Sequence, residues 1–472
     1  MHNQDSQPSS PAFKKRAIAK AKKVPDNRPF LLVIGLLFLL AMIVASLSPA
    51  RATEIQEVVS PSGIKAWLVE EHSVPIVTMD FSFLGGVVNE KADKLGTATM
   101  LTALFDEGAG DMKAEAFQTR LEENAIHMSF DAGYERFYGS LRTLTPNLTE
   151  ATDLLSLALQ KPRFDEDAIE RMRAVLMSGL KRKEKSPRNI MSKAWRQSVY
   201  GNHPYSRPGD GELETMKAIT KADLVDFHRN VLTRDDLIIG VVGAIDAKTL
   251  APLLDKIFAP LPAKGETVEV ADYTLTNKGR KDISVNNPQT SIRFALEGIK
   301  RDDPDFYAAY VINHALGSGM NSRLFTEIRE KRGLVYGVAS YLTDREHSQL
   351  FVGAMQTRTD NTEQAIELVR IEITKLAKDG LTQDELDAAK QFLIGSYPLR
   401  FDTSSKISRQ LVGIQEEDLG IDYFDKRNSY IEAVSLEDAK RVAKRLFKPE
   451  NLFVMTVGKN LQTAKAGTSK AN

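Results

Sequence analysis

The chain has 472 residues, too many for a single core and enough for two or more domains. Its 42% hydrophobic and 27% charged residues are the composition of an ordinary globular protein, and 63 basic side chains balance 63 acidic ones. That balance leaves no net field to steer nucleic acid, and the lack of cysteine excludes a disulfide framework and a thiol nucleophile.

Residues 1–29 are polar and basic, with Lys14, Lys15, Arg16, Lys20, Lys22, Lys23 and Arg28, and an uncharged apolar run extends from Phe30 to Leu47. Pro49-Ala50-Arg51-Ala52 then supplies a small-residue cleavage site. The pattern predicts a basic leader and signal peptide over 1–52, cut after Ala52. The apolar run is also just long enough to span a bilayer uncut, so an inner-membrane anchor at 30–47 is the alternative. Either way the basic flank predicts that the rest of the chain is exported, to the periplasm of a bacterium.

Beyond the leader, alternation predicts a strand over 54–69 and another from Ile76 to Leu84, closed by Gly85-Gly86. The glycine pair reads as a plain turn, or as an open backbone edge able to pair with an extended peptide. Helical spacing runs from Leu95 to Phe105 and from Ala114 to Asn124, then strands are predicted at Ile126–Ala132 and Phe137–Leu144. Three further helices are predicted over Thr149–Gln160, Glu166–Leu180 and Asp223–Val231, and a buried strand over Leu237–Val242. Ala259 to Gly265, with two prolines and a glycine, reads as a linker.

The sequence beyond the linker repeats the sequence before it. Ile219 to Gly243 aligns without a gap on Val434 to Gly458, with Thr220 on Ser435, Asp223 on Asp438 and Leu237 on Leu452. Each copy is an N-capped helix, a short turn and a buried strand ending in glycine. An offset of about 215 residues argues for two copies of one α+β domain, each a mostly antiparallel sheet with helices on one face. The predicted domains are 53–258 and 283–460, with a linker at 259–282 and a flexible tail at 461–472.

Within the second copy, Gly317 and Gly319 loosen the backbone and Asn321 or Ser322 can cap a helix that buries Leu324, Phe325 and Ile328. Gly333 can end it in a left-handed turn, and the next strand is predicted to place Leu334, Tyr336 and Val338 on one face. Arg329 in the last helical turn and Tyr336 on the strand read as a dipole-favoured arginine and a core tyrosine, or as two functional groups on rigid elements. Elsewhere the chemistry is sparse. No two of the seven histidines stand at helical metal-ligand spacing, and no phosphate loop or serine-nucleophile elbow is present.

Ser322-Arg323-Leu324-Phe325 followed by Glu327-Ile328-Arg329-Glu330-Lys331-Arg332-Gly333-Leu334-Val335-Tyr336 resembles the carboxy-terminal-domain motif of the pitrilysin/insulinase family of zinc peptidases. The resemblance implies half of a clamshell built from a duplicated α+β domain. It also implies that Arg329 and Tyr336 bind substrate across the chamber. The family's first domain carries H-x-x-E-H and a distant glutamate as zinc ligands. Here Thr99, Thr102 and Ala103 stand at the positions of the first histidine, the glutamate and the second histidine, and Met172, close to Glu170, at the third ligand. Such a set cannot hold zinc or supply a base.

The resemblance therefore implies an exported subunit with no catalytic residues and no metal of its own, inactive alone. It would form a heterodimer with a zinc-bearing sister subunit and supply Arg329 and Tyr336 to peptide hydrolysis. The alternative is a structural or peptide-binding scaffold of the same fold, like the core subunits of respiratory cytochrome complexes. Nucleic acid is excluded as a partner, and the membrane enters only through an uncut amino-terminal segment.

Overall fold

The computed structural model describes residues 54–266 and 268–459. The expected leader, the anchor at 30–47 and the tail at 461–472 lie outside the described residues. Among those described, no helix is long and apolar enough to cross a membrane.

The first sheet is built from β1 (Ile55–Val59), β2 (Lys65–Glu70), β3 (Ile76–Leu84), β4 (His127–Ala132), β5 (Arg136–Leu144) and β6 (Ile238–Gly243), in the order β1-β2-β6-β3-β5-β4. The expected single strand over 54–69 is a hairpin. Pro61, Ser62 and Gly63 turn the chain, Gly63 lies at φ +88°, and Ser60 and Ile64 close the loop through a 2.8 Å backbone bond. Alternation carries across such a turn, so the sequence alone predicts one strand where there are two.

The second sheet uses β7 (Gly279–Ser284), β8 (Gln289–Glu297), β9 (Val335–Arg345), β10 (Ser348–Arg358) and β11 (Phe453–Gly458), in the order β9-β10-β8-β11-β7. Both sheets are antiparallel except for one parallel pair each, β2 with β6 and β7 with β11. β7 begins at Gly279, inside the segment expected as linker. Apart from β1, each strand of one sheet has a counterpart in the other, so the repeat read from the sequence is a repeat of topology.

The aligned helices, Lys221–Val231 and Leu436–Leu446, show why the repeat is legible. Thr220 Oγ1 accepts from the Asp223 amide while the Asp223 carboxylate accepts from the Thr220 amide at 2.8 Å. Ser435 and Asp438 make the same reciprocal pair at 3.0 and 3.2 Å. Each helix feeds a strand buried along its whole length, β6 or β11, and that strand ends in glycine for a steric reason. A Cβ on Gly243 would collide with the Ile76 carbonyl oxygen, and one on Gly458 would collide with Thr290 Oγ1.

Each sheet turns one face to its own helices. In β3, Val77, Met79, Phe81 and Phe83 point into that core, whereas Thr78, Asp80 and Ser82 are buried on the other side. That other face is covered by a helix from the opposite half. Helix α1 (Pro187–Tyr200) lies on the second sheet, with the Trp195 ring 5.6 Å from Phe453 and Arg293 donating to Ser192 Oγ at 3.1 Å. Helix α2 (Ser404–Glu416) lies on the first, where Leu411 and Ile414 pack with Trp67, Val69 and Val242. Its polar side answers the polar face of β3: Ser408 donates to Asp80, and Ser82 donates to Glu416 at 2.7 Å. The described residues from Ile55 to Lys459 therefore form one compact unit with two interlocked sheets.

Leu411 is fully buried at this exchange. Leu411→Ala is expected to cost about 2–5 kcal/mol in urea unfolding, the range for a buried leucine, and to lower both halves together. A cost below about 1 kcal/mol would show that α2 adds little to the first sheet.

Candidate functional site

The four positions that would carry zinc ligands in the resembling family are occupied by groups engaged elsewhere. A short helix, Thr97–Thr102, holds Thr99 and Thr102. Thr99 Oγ1 donates to the Gly209 carbonyl at 3.0 Å and Thr102 Oγ1 to the Thr99 carbonyl at 2.7 Å. Ala103 offers only a methyl group, and Met172, on the helix Glu166–Glu184, packs half-buried against the first apolar core. Neighbouring Glu170 is tied to Arg173 at 3.0 Å. Two hydroxyls, a methyl and a thioether do not fit zinc, which takes thiolate, imidazole or carboxylate donors. Among the described residues, no group of three or more His, Cys, Asp or Glu side chains is placed to hold a metal ion.

What holds this helix is a buried carboxylate. Glu90, 4% exposed, accepts from the Gly96 amide at 3.0 Å and from the Ala98 amide at 2.8 Å, where the helix starts. Burial pushes its pKa up from 4.5 to about 7, against the pull of those two amides and of Arg207.

The second pair stands differently. The helix after Ser322 tightens its core side with Leu324 and Ile328 fully buried, and over Phe325–Glu330 it takes π-type bonds, Lys331 donating to the Thr326 carbonyl at 3.0 Å. The expected Asn321 or Ser322 cap is not formed. Ser322 Oγ instead donates back to the Gly319 carbonyl at 2.6 Å. Gly333 ends the helix at φ +60° as expected, its amide on the Arg329 carbonyl at 3.0 Å.

Glu327 takes Lys331 at 2.6 Å and Arg332 at 2.7 Å, leaving Arg329 with no carboxylate within 4 Å among the described residues. The exposed Arg329 guanidinium rests 5.4 Å from the Phe325 ring centre.

Tyr336 is 88% exposed, so the expectation of a shared face with Leu334 and Val338, and with it the core-tyrosine reading, is wrong. The cause is a β-bulge. Val335 pairs with Thr357 and Val338 with Met355, so one extra residue lies between them on β9. Val335 and Val338 both stay buried at 7%, and Tyr336 is turned out to solvent at the edge of the sheet. Arg329 and Tyr336 thus emerge at one helix-to-strand corner with no cation–π contact between them.

Gly85-Gly86 is the plain turn. β3 is an interior strand, and the Gly85 amide donates to the Glu135 carbonyl at 2.6 Å and that of Val87 to Gly133 at 3.0 Å, so no backbone edge is open there. A cleft at the junction of the two halves has no trace in the sequence, because its walls come from five stretches far apart in the chain.

Comparison with known proteins agrees with this geometry. Residues 66–209 match the model of insulinase (peptidase family M16), and residues 218–393 match that of the peptidase M16 inactive domain. A Helicobacter pylori protein described as non-peptidase homolog YmxG is 27% identical over 337 residues, covering 71% of this chain and 78% of its own. A peptidase M16 inactive domain from Pseudomonas fluorescens superposes with TM-score 0.80 at 26% identity, covering 86% of this chain and 99% of that one. The periplasmic protease PqqL from Escherichia coli superposes with TM-score 0.73 at 14% identity, over 87% of this chain but 46% of that longer one.

The Glu90 carboxyl makes stability depend on pH. Below about 4.5 both folded and unfolded chains hold the proton. Between 4.5 and about 7 the unfolded chain loses it first, so this contribution falls as pH rises and is gone above 7. Thermal unfolding from pH 5 to 8 is expected to show that decline, and Glu90→Gln to flatten it. An unchanged slope in the variant would assign the dependence to other groups.

Proposed function

The chain belongs to the insulinase family of peptidases, peptidase family M16, and we propose that it is the zinc-free member of a two-subunit peptidase of this family. Its first half is an inactive homologue of the metal-binding domain. Its second half keeps an arginine and a tyrosine exposed at a corner that nothing in the chain's own packing requires. That corner is the observation that carries the reading. A buried Tyr336 would have been core, but an 88% exposed phenol on a bulged edge is available to a ligand.

A phenol and a guanidinium both carry protons to donate at neutral pH. Tyr336 would donate its phenol proton to a peptide carbonyl oxygen, and Arg329 would hold the neighbouring backbone or a carboxylate of the substrate. Donors aimed at a developing oxyanion are worth roughly 3–4 kcal/mol each. A sister subunit carrying H-x-x-E-H would bind zinc and cleave the extended peptide, while this chain closes the chamber. Members of the family commonly act in pairs. The E. coli protein PqqL supports the reading by its length, since this chain spans less than half of it and leaves room for a second half of similar size. Export to the periplasm, where that relative is described as acting, fits the basic leader and apolar run of residues 1–52, with a heterodimer assembled there.

The test compares the purified chain, its zinc-bearing partner and the complex on an unstructured fluorogenic peptide. Hydrolysis is expected from the complex and not from the lone chain. Tyr336→Phe in the complex is expected to lower turnover roughly 100- to 1000-fold, the usual cost of one such donor. Hydrolysis by the lone chain would refute the division of labour. A complex that forms but is indifferent to Tyr336→Phe would favour the scaffold reading instead.

A further inference from the structure

Helix α1 covers only part of the second sheet's outer face. It packs on β8, β10 and β11, where Met191 and Trp195 meet Ala295, Val352, Phe453 and Met455. The edge strand β9 lies beyond its reach. Val338 and Ser340 of β9 point into the helical core, with Ser340 Oγ donating to Asn313 at 2.8 Å. Ala339 and Tyr341 therefore lie on the outer face, and both are exposed.

The register carries that open face inward. Ala339 pairs with Ala354 on β10, and Ala354 pairs with Arg293 on β8. One row thus runs from the sheet edge over two alanines to an arginine, roughly 10 Å at ordinary strand spacing. Tyr341 flanks the row, in register with Val352 and, one strand further in, Ala295.

Helix α1 fixes the end of the row. Arg293 Nη2 donates to Ser192 Oγ at 3.1 Å, and its guanidinium carbon lies 6.0 Å from the centre of the Trp195 ring. Two more arginines of the same helix, Arg188 and Arg196, act on it. Burial, and then these two cations, hold the Arg293 pKa below the usual arginine value, against the pull of Tyr341. A guanidinium keeps its proton at neutral pH all the same.

None of the three arginines makes an ion pair among the described residues, and Arg196 Nε is buried without a hydrogen-bond partner. Arg196 also acts on the hydroxyl of Tyr134, whose pKa burial raises, so that group is neutral at pH 7. Elsewhere in the second half arginines are matched, Arg280 with Glu363 and Arg441 with Asp305. Three unmatched like charges on one wall repel each other and are unfavourable until an anion joins them.

We propose that this shelf binds extended peptides through a carboxylate, which crosses the alanine row and meets the fork of Arg293. Arg196 and the exposed Arg188 add their attraction from α1. A guanidinium fork takes a carboxylate in two parallel bonds. The outer face of β9 gives an extended backbone a bed of small side chains with Tyr341 as its rail. A polyanion such as nucleic acid is not favoured, because the chain's 63 basic and 63 acidic side chains supply no net field to steer it. The carboxylate can come from an acidic side chain within the peptide or from a free carboxyl terminus. The site uses neither Arg329 nor Tyr336 and does not depend on their role.

The test is isothermal titration calorimetry of the purified chain with three unlabelled peptides. The first is acetyl-Ala-Ser-Ala-Glu-Ala-Ser-Ala amide. The second has glutamine in place of glutamate, and the third is that glutamine peptide with a free carboxyl terminus. The glutamate peptide or the free acid is expected to bind about tenfold more tightly than the glutamine amide, and whichever does names the source of the carboxylate. Arg293→Gln is expected to erase that preference, and Arg188→Gln, at an exposed position, to reduce it about threefold. Equal binding of all three peptides, no binding at millimolar concentration, or a preference that survives both substitutions would overturn the proposal. The comparison among peptides uses the unaltered chain, so it stands even if a variant fails to fold. Failure here would leave the hydrolysis test of the Arg329–Tyr336 reading untouched.

Discussion

The structure depends on an exchange: each half lends one helix to cover the bare face of the other's sheet. A mostly antiparallel sheet with helices on one side leaves its second face to water or to a partner. In β3 that second face carries Thr78, Asp80 and Ser82, too polar for a dry core and too buried for solvent. The donated helix resolves this with polar groups of its own, Ser408 against Asp80 and Glu416 against Ser82. The second sheet receives α1 through a different chemistry, Trp195 against Phe453 and Arg293 against the Trp195 ring at 6.0 Å. The duplicated halves are thus alike in topology and unlike in how they are joined, and neither can be removed without exposing the other.

This interlock explains how a peptidase fold can persist without its metal. Zinc ligands contribute to chemistry, but here the helix that would bear them is fixed by Glu90 at its start, by Thr99 on the Gly209 carbonyl, and by Leu101 and Leu104 in the core. None of these contacts needs a metal donor at the positions that are threonine and alanine here. The absence of ligands therefore carries no structural penalty, and the exposed arginine and tyrosine in the second half lie outside the packing that the interlock enforces.

How much of this is legible in the sequence depends on where the deciding contact lies. The span of β3 is readable from end to end because its alternation is local. The paired helices at Thr220 and Ser435 are readable because a capping box lies within four residues. Helices α1 and α2 escape such a reading, although Met191, Trp195 and Val199 stand at helical spacing. Their apolar faces answer to a sheet in the other half, which no window of sequence displays. The Arg329–Tyr336 corner is found through its resemblance to a motif, and its exposure is not, since a bulge leaves the composition of a strand unchanged. The cleft between the halves has no signature at all, because its walls come from segments far apart in the chain, and Tyr423 reaches Arg301 and Tyr134 reaches Arg345 only in the fold.

The bulge in β9 has one more consequence. In a regular strand, a residue between two buried valines answers to the core or to its neighbours, and few replacements survive there. The extra residue at this corner frees position 336 from that bargain. Its side chain can change in size or chemistry while Val335 and Val338 keep their seats. Descendants of this fold can therefore retune what the corner recognises by point substitution, with little loss of thermal robustness.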